Sequence, residues 1–349
     1  MGYIYIYIRD VQQVCIAGNV QRGLIMKGIQ RVIVSNKRVK YQFELCRNLT
    51  VIRGDSATGK TTLIEMIGEF YENGAASAVN IICAKECYVL SGRKWLSDLQ
   101  TVRDSIVFID EGNEFVFSNE FAAAIKDTDN YYVIVTREAI PALPYSVDEV
   151  YGIRESGKYG TLKQTYNEFY RFYAMPERGL PVKPECVITE DSNAGNQFFS
   201  AICDKNNIRC IGAGGKSNIF HQVSQVLGLI EGPIVVRADG AAFGAEMERL
   251  VNLARLWENI VLYLPESFEW LILHSGVVSD KEIAEVLSDT SNYVESSEYF
   301  SWERFFTALL IKKTDGSYLQ YAKRRLNTSY CADKIAGQIL QDIGWIEFG

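Results

Sequence analysis

Histidine is nearly absent from this chain: His221 and His274 are the two copies in 349 residues. The eight cysteines, Cys15, Cys46, Cys83, Cys87, Cys186, Cys203, Cys210 and Cys331, are scattered. Cys83-x-x-x-Cys87 has neither a second pair nor a histidine close by, so the ligand spacing of a structural zinc site is missing. Several cysteines lie inside apolar runs, and the expectation is buried, reduced thiols in a cytoplasmic protein. Basic charge is not in excess, and a net charge of −7 is not the footprint of a strongly basic nucleic-acid binder. Two local strips, Lys37-Arg38-Val39-Lys40 and Lys323-Arg324-Arg325, read first as solvated surface. No apolar run reaches the roughly twenty residues that cross a bilayer, so no membrane segment is expected. Proline is scarce, and three of the seven, Pro176, Pro181 and Pro184, flank Gly179. They block regular structure and set an expected domain boundary near residues 174–184.

What is present suits a packed core: 48% hydrophobic and 23% charged residues, in a length that suggests about two domains. Met1-Gly2-Tyr3-Ile4-Tyr5-Ile6-Tyr7-Ile8 alternates with period two and reads as a strand rather than a leader. Gly2 precedes an aromatic and apolar series, which makes it a poor myristoylation site.

The most informative run is Gly54-Asp55-Ser56-Ala57-Thr58-Gly59-Lys60-Thr61-Thr62. It fits G-x-x-x-x-G-K-[ST], the phosphate-binding P-loop. A β-rich run, Leu49–Arg53, precedes it, and Leu63–Phe70 follows with apolar residues at helical spacing. Strand, glycine loop and helix are the context in which backbone amides at a helix N-terminus cradle phosphate. Lys60 is expected to reach the β- and γ-phosphates, and Thr61 to place its hydroxyl on Mg²⁺. Downstream, Ile106-Val107-Phe108-Ile109 leads into Asp110-Glu111. It looks like a Walker B element, in which Asp110 holds Mg²⁺ through water and Glu111 polarises the attacking water. Tyr131–Val135 is a further apolar strand, ending in Thr136-Arg137, whose expected role is to sense the γ-phosphate or the water. No Asn-Lys-x-Asp run follows the P-loop, which favours ATP over GTP by elimination.

Strands are expected near 39–46, 49–53, 79–83, 105–110, 131–136 and 148–153, and helices near 60–72, 94–101 and 117–126. This alternation predicts an α/β fold, a mostly parallel sheet with helices on its faces. The runs 40–45 and 49–53, split by a short turn, suggest an antiparallel strand feeding the P-loop strand. That arrangement resembles the ABC/SMC-like ATPases. Leu90-Ser91-Gly92-Arg93 starts like the Leu-Ser-Gly-Gly-Gln signature without completing it, and the interval from the P-loop to Walker B is shorter than in full ABC enzymes.

Beyond the prolines the alternation resumes. Val187-Ile188-Thr189 runs into Glu190-Asp191, a helix is expected near 197–204, and Ile208–Ile211 leads into the glycine turn Gly212–Asn218. Ile234–Arg237 leads into Asp239-Gly240, an amphipathic helix covers 245–256, and a strand at 261–264 stops at Pro265. This order resembles a Toprim domain, the fold of topoisomerases, primases and OLD-family nucleases. The resemblance implies Glu190 as general acid/base and Asp239-Gly240-Ala241-Ala242-Phe243-Gly244 in place of Asp-x-Asp-x-x-Gly. Ala241 stands where the second metal-binding aspartate is expected, which weakens an Mg²⁺ site at Glu190 and Asp239. Asp191, Glu246 and Glu266 are the acids available to substitute. The layout expected is an ATPase domain at 1–174, a Toprim-like domain at 183–275 and a helical segment at 280–349. In that segment the stripe Phe305, Phe306, Leu309 and Leu310 reads first as core and second as a partner surface. Three functions follow: an ATP-driven switch acting on a DNA or protein partner, as a homo-oligomer; an ATP-gated nuclease; or a nucleotide-binding scaffold.

Overall fold

The computed structural model describes residues 5–7 (as backbone), 26–54, 59–156, 164–173 and 181–349. Strand β1 (Tyr5–Tyr7) is followed by β2 (Gln30–Ser35), β3 (Val39–Leu45), β4 (Leu49–Ile52), α1 (Lys60–Asn73), β5 (Asn80–Ile82), β6 (Glu86–Val89), α2 (Trp95–Leu99), β7 (Ser105–Ile109), α3 (Asn119–Ala124), β8 (Tyr131–Val135), β9 (Val150–Glu155) and β10 (Thr165–Arg171). Then come β11 (Cys186–Thr189), α4 (Ala194–Lys205), β12 (Arg209–Gly212), α5 (Lys216–Val226), β13 (Ile234–Arg237), α6 (Met247–Leu256) and β14 (Ile260–Tyr263). Four helices close the series: α7 (Phe268–His274), α8 (Lys281–Ser288), α9 (Trp302–Thr314) and α10 (Asp333–Gln341). The chain adopts the α/β class that the alternation predicts.

Contacts divide it into two units. One comprises Val14–Tyr173 and Asp289–Phe300; the other comprises Met1–Gln13, Ala174–Ser288 and Ser301–Gly349. In the first, nine described strands form one sheet in the order β5-β2-β3-β10-β9-β4-β8-β7-β6. The run β9-β4-β8-β7-β6 is parallel throughout. Every residue of β4, β7 and β8 is buried, as expected for parallel strands covered on both faces. Strands β2 and β3 instead alternate buried with more exposed positions and pair antiparallel. Strand β3 does not feed β4 as a neighbour, contrary to the sequence expectation. Strands β10 and β9 lie between them, because both hydrogen-bonding edges of β4 are taken by β8 and β9. The segment Asp289–Phe300 is held in this unit by backbone bonds from Gly28 N to Ser291 O (2.6 Å) and from Ser296 N to Met26 O (2.9 Å).

The buried acid Glu149 sits just before β9. It accepts from Thr50 Oγ1 at 3.2 Å and faces Arg47 Nε at 3.6 Å. Full burial, only partly offset by Arg47, pushes its carboxyl up to about 7 from the usual 4.5. The folded chain therefore keeps the proton that the unfolded chain releases near 4.5. Stability from this group is complete below pH ~4.5 and is lost as pH rises through ~7, a change of about 3 kcal/mol. Thermal melts of the native chain should weaken over that window, and Glu149→Gln should flatten the decline.

In the other unit five described strands, all parallel, run in the order β1-β14-β13-β11-β12. The N-terminal strand thus joins this sheet, not the nine-stranded one. Nor is the expected 280–349 segment a separate body beyond Ser301: Phe306, Leu310, Ile339 and Ile343 share one core with Val187, Phe198, Phe268 and Leu271. The apolar stripe of α9 is core, since a helix with one apolar face has nothing of its own to bury it against. The glycine turn after β12 opens directly into α5, a helix that the sequence reading passed over.

Candidate functional site

The expected P-loop segment lies between β4, which ends at Ile52, and α1, which starts at Lys60. Asp55, Ser56, Ala57 and Thr58 lie outside the described residues. The loop ends, Gly54 (φ +123°) and Gly59 (φ +89°), both take backbone conformations that side-chain-bearing residues rarely adopt. A Cβ on Gly59 would also lie 2.8 Å from Tyr41 Oη, which donates to the Gly59 carbonyl at 2.8 Å. Lys60 is buried and its Nζ reaches back to Gly54 O at 2.8 Å, closing the loop on itself. Thr61 and Thr62 are exposed in the first turn of α1, which has no side-chain cap and no acid. Its leading amides are therefore left without the usual side-chain acceptor, a setting that favours an anion.

Parallel pairing brings the other expected residues to the same sheet edge. Ile52 pairs with Val135 and Ile109 with Ile134, so the ends of β4, β8 and β7 lie nearly level. Asp110 is half-buried there, its Oδ1 accepting from Glu111 N at 2.8 Å. Glu111 is exposed and forms an ion pair with Arg137, Nε lying 2.7 Å from Oε1. Thr136 is buried; its amide donates to Ile52 O at 3.1 Å and its hydroxyl accepts from Glu138 N at 3.0 Å. That hydroxyl holds a turn at the strand end.

Three supporting residues were not legible in the sequence. Arg53 is buried at the end of β4, donates to Tyr173 Oη at 3.0 Å and also donates to the Arg137 carbonyl. Asn113 donates to Asp110 O at 2.9 Å and accepts from Gly92 N at 3.1 Å. The partial Leu90-Ser91-Gly92 signature therefore backs the Asp110 turn of its own unit. Tyr41 grips Gly59 from β3, a position that carries only an alternation pattern in sequence.

In the other unit Glu190 and Asp239 do come together. They follow the adjacent parallel strands β11 and β13, from which the chain departs to opposite sides of the sheet, the place where open α/β sheets form a crevice. Asp239 N donates to Glu190 Oε2 at 2.9 Å. Burial pushes both carboxyls up, Asp239 being pulled back by Arg237. Arg237 Nη2 lies 2.6 Å from Asp239 Oδ1, which also accepts from Phe268 N at 3.1 Å. The guanidinium is fully buried between the rings of Phe199 and Phe268, each 5.7 Å from it. Ala241 is buried, its amide on Glu266 O at 3.2 Å, and Gly240 is needed because a Cβ would meet Leu264 O at 2.6 Å. Asp191 Oδ1 is engaged by Asn193 N at 2.9 Å. Lys323, from the supposed basic strip, turns to Glu303 and to Glu269 at 3.7 Å. Glu246 is buried on the run leading into α6 and Glu266 is half-buried after β14.

Among the described residues, no three His, Cys, Asp or Glu side chains group as a metal-holding set. The seven described cysteines are free thiols, and no described helix is long and apolar enough to cross a membrane. Comparison with protein-family models, with curated proteins and with solved structures gave no match to this chain.

Proposed function

We propose that this chain binds Mg-ATP at the β4–α1 loop and hydrolyses it, its nucleotide state driving action on a nucleic-acid or protein partner. One observation carries the reading: the described ends of the motif, Gly54 and Gly59-Lys60-Thr61-Thr62, lie with Asp110-Glu111 and Arg137 at the carboxyl edge of adjacent parallel strands. Loop amides and Lys60 would hold the phosphates and stabilise the charge that builds on the leaving group. The Thr61 hydroxyl and the Asp110 carboxylate are hard oxygen donors, which suit Mg²⁺ completed by phosphate and water. Bound there, Mg²⁺ supplies charge neutralisation along the phosphates. Glu111 is the group that takes the proton of the attacking water.

A nuclease reading of the other unit is less well supported. Mg²⁺ needs open carboxylate oxygens, and Asp239 already has a buried guanidinium as its counter-ion, while Ala241 brings no ligand. That donor set does not suit a metal, and no step is assigned to it.

Phosphate release from Mg-ATP tests the proposal. Glu111→Gln should keep ATP binding and lower turnover by about 10²-fold or more, the usual cost of losing a general base. Equal turnover in both chains would remove hydrolysis at this edge.

A further inference from the structure

Glu111, the water-activating group of the proposed ATPase, has an ion-pair partner in the structure. Its Oε1 is ion-paired with Arg137 Nε at 2.7 Å, so one of the two oxygens able to take a proton from water is engaged. The two residues come from neighbouring parallel strands: Glu111 follows β7 by two positions and Arg137 follows β8 by two.

The two halves of Arg137 are held differently. Its backbone is anchored to the P-loop strand on two sides. Arg53, the residue before Gly54, donates to the Arg137 carbonyl, and the preceding Thr136 amide donates to Ile52 O at 3.1 Å. Its side chain, in contrast, is 58% exposed, and that of Glu111 38%. A half-exposed side chain on an anchored backbone can change partner without moving the strand. Half-exposed ion pairs of this kind shift an equilibrium only about two- to five-fold. A terminal phosphate carries more charge than a carboxylate and accepts from both arms of a guanidinium, so it competes strongly.

We propose that Arg137 is a nucleotide-gated latch on Glu111: paired to it until nucleotide binds, and drawn onto the terminal phosphate when ATP arrives, which frees Glu111 to receive water. This rests on the ATPase reading and adds its regulation. Arg137 acts here as a positioning residue for Glu111. Hydrolysis is then coupled to occupancy, because ADP lacks the group that opens the latch.

The test is a mutant cycle read in nucleotide affinity, with the Mg²⁺ complex of a non-hydrolysable ATP analogue and with Mg-ADP as probes. The four chains are the native one, Glu111→Gln, Arg137→Ala and the double variant. If the pair must break for the triphosphate to bind, Glu111→Gln should tighten analogue binding about two- to five-fold while Arg137 is present. The gain should vanish in the Arg137→Ala background, and ADP affinity should not respond to Glu111→Gln in either. An equal gain in both backgrounds would mean simple relief of repulsion between Glu111 and the phosphate, and would overturn the latch while leaving the ATPase reading intact. Failure of the native chain to bind either nucleotide would overturn the ATPase reading itself and the latch with it.

Discussion

Lys60→Ala is expected to reduce Mg-ATP affinity by about 100-fold and to abolish measurable turnover. The estimate follows from the lost contact. A charge-assisted hydrogen bond to an anion contributes about 1.5–3 kcal/mol, and a lysine placed between two phosphates makes more than one. The fold should survive the change. Lys60 Nζ donates to Gly54 O at 2.8 Å, and Gly54 is half-buried at a loop end where water can replace the donor. Circular dichroism and the melting temperature of the variant should thus match the native chain, while isothermal titration with Mg-ATP shows the loss. Native-like affinity in the variant would show that the loop does not use its lysine on phosphate.

Asp239→Ala should act in the opposite way, on stability. Arg237 is 3% exposed and Asp239 is its ion-pair partner, at 2.6 Å. Removing the carboxylate takes from a buried guanidinium its ion-pair partner, leaving the more distant charge of Glu190, and takes the acceptor from Phe268 N. Breaking a buried pair in this way costs about 3–5 kcal/mol. For a unit of this size that lowers the melting temperature by roughly 10 °C. A metal site predicts the reverse. Acids gathered to bind a cation repel one another when it is missing, so deleting one would leave the metal-free protein as stable or more so. Melts of both chains with and without Mg²⁺ or Mn²⁺ separate the two cases. Strong metal stabilisation of the native chain, lost in Asp239→Ala, would restore the Mg²⁺ role that the Toprim resemblance implies for Glu190 and Asp239.

Much of the local architecture was legible beforehand. The apolar runs that became β4, β7, β8, β11, β13 and β14 are continuous, as strands covered on both faces must be. The helix after the P-loop and α6 carried clear helical spacing. The strands that escaped notice, β2, β6 and β10, are short or mixed in polarity. Strand β10 is half-buried along most of its length and so carries no strong pattern.

The sequence by itself determined where the continuous apolar strands and the helices α1 and α6 lie and which strand end carries the glycine loop, because period and turn chemistry act over a few residues. Tertiary structure alone decided the partners. It separated β3 from β4, sent the N-terminal strand to the other sheet, and set Arg137 on Glu111 and Arg237 on Asp239. It also turned the Thr136 hydroxyl into a turn and Lys323 onto acids. Those outcomes depend on which edges and charges remain unsatisfied once distant segments have packed, and no short window of sequence contains that information.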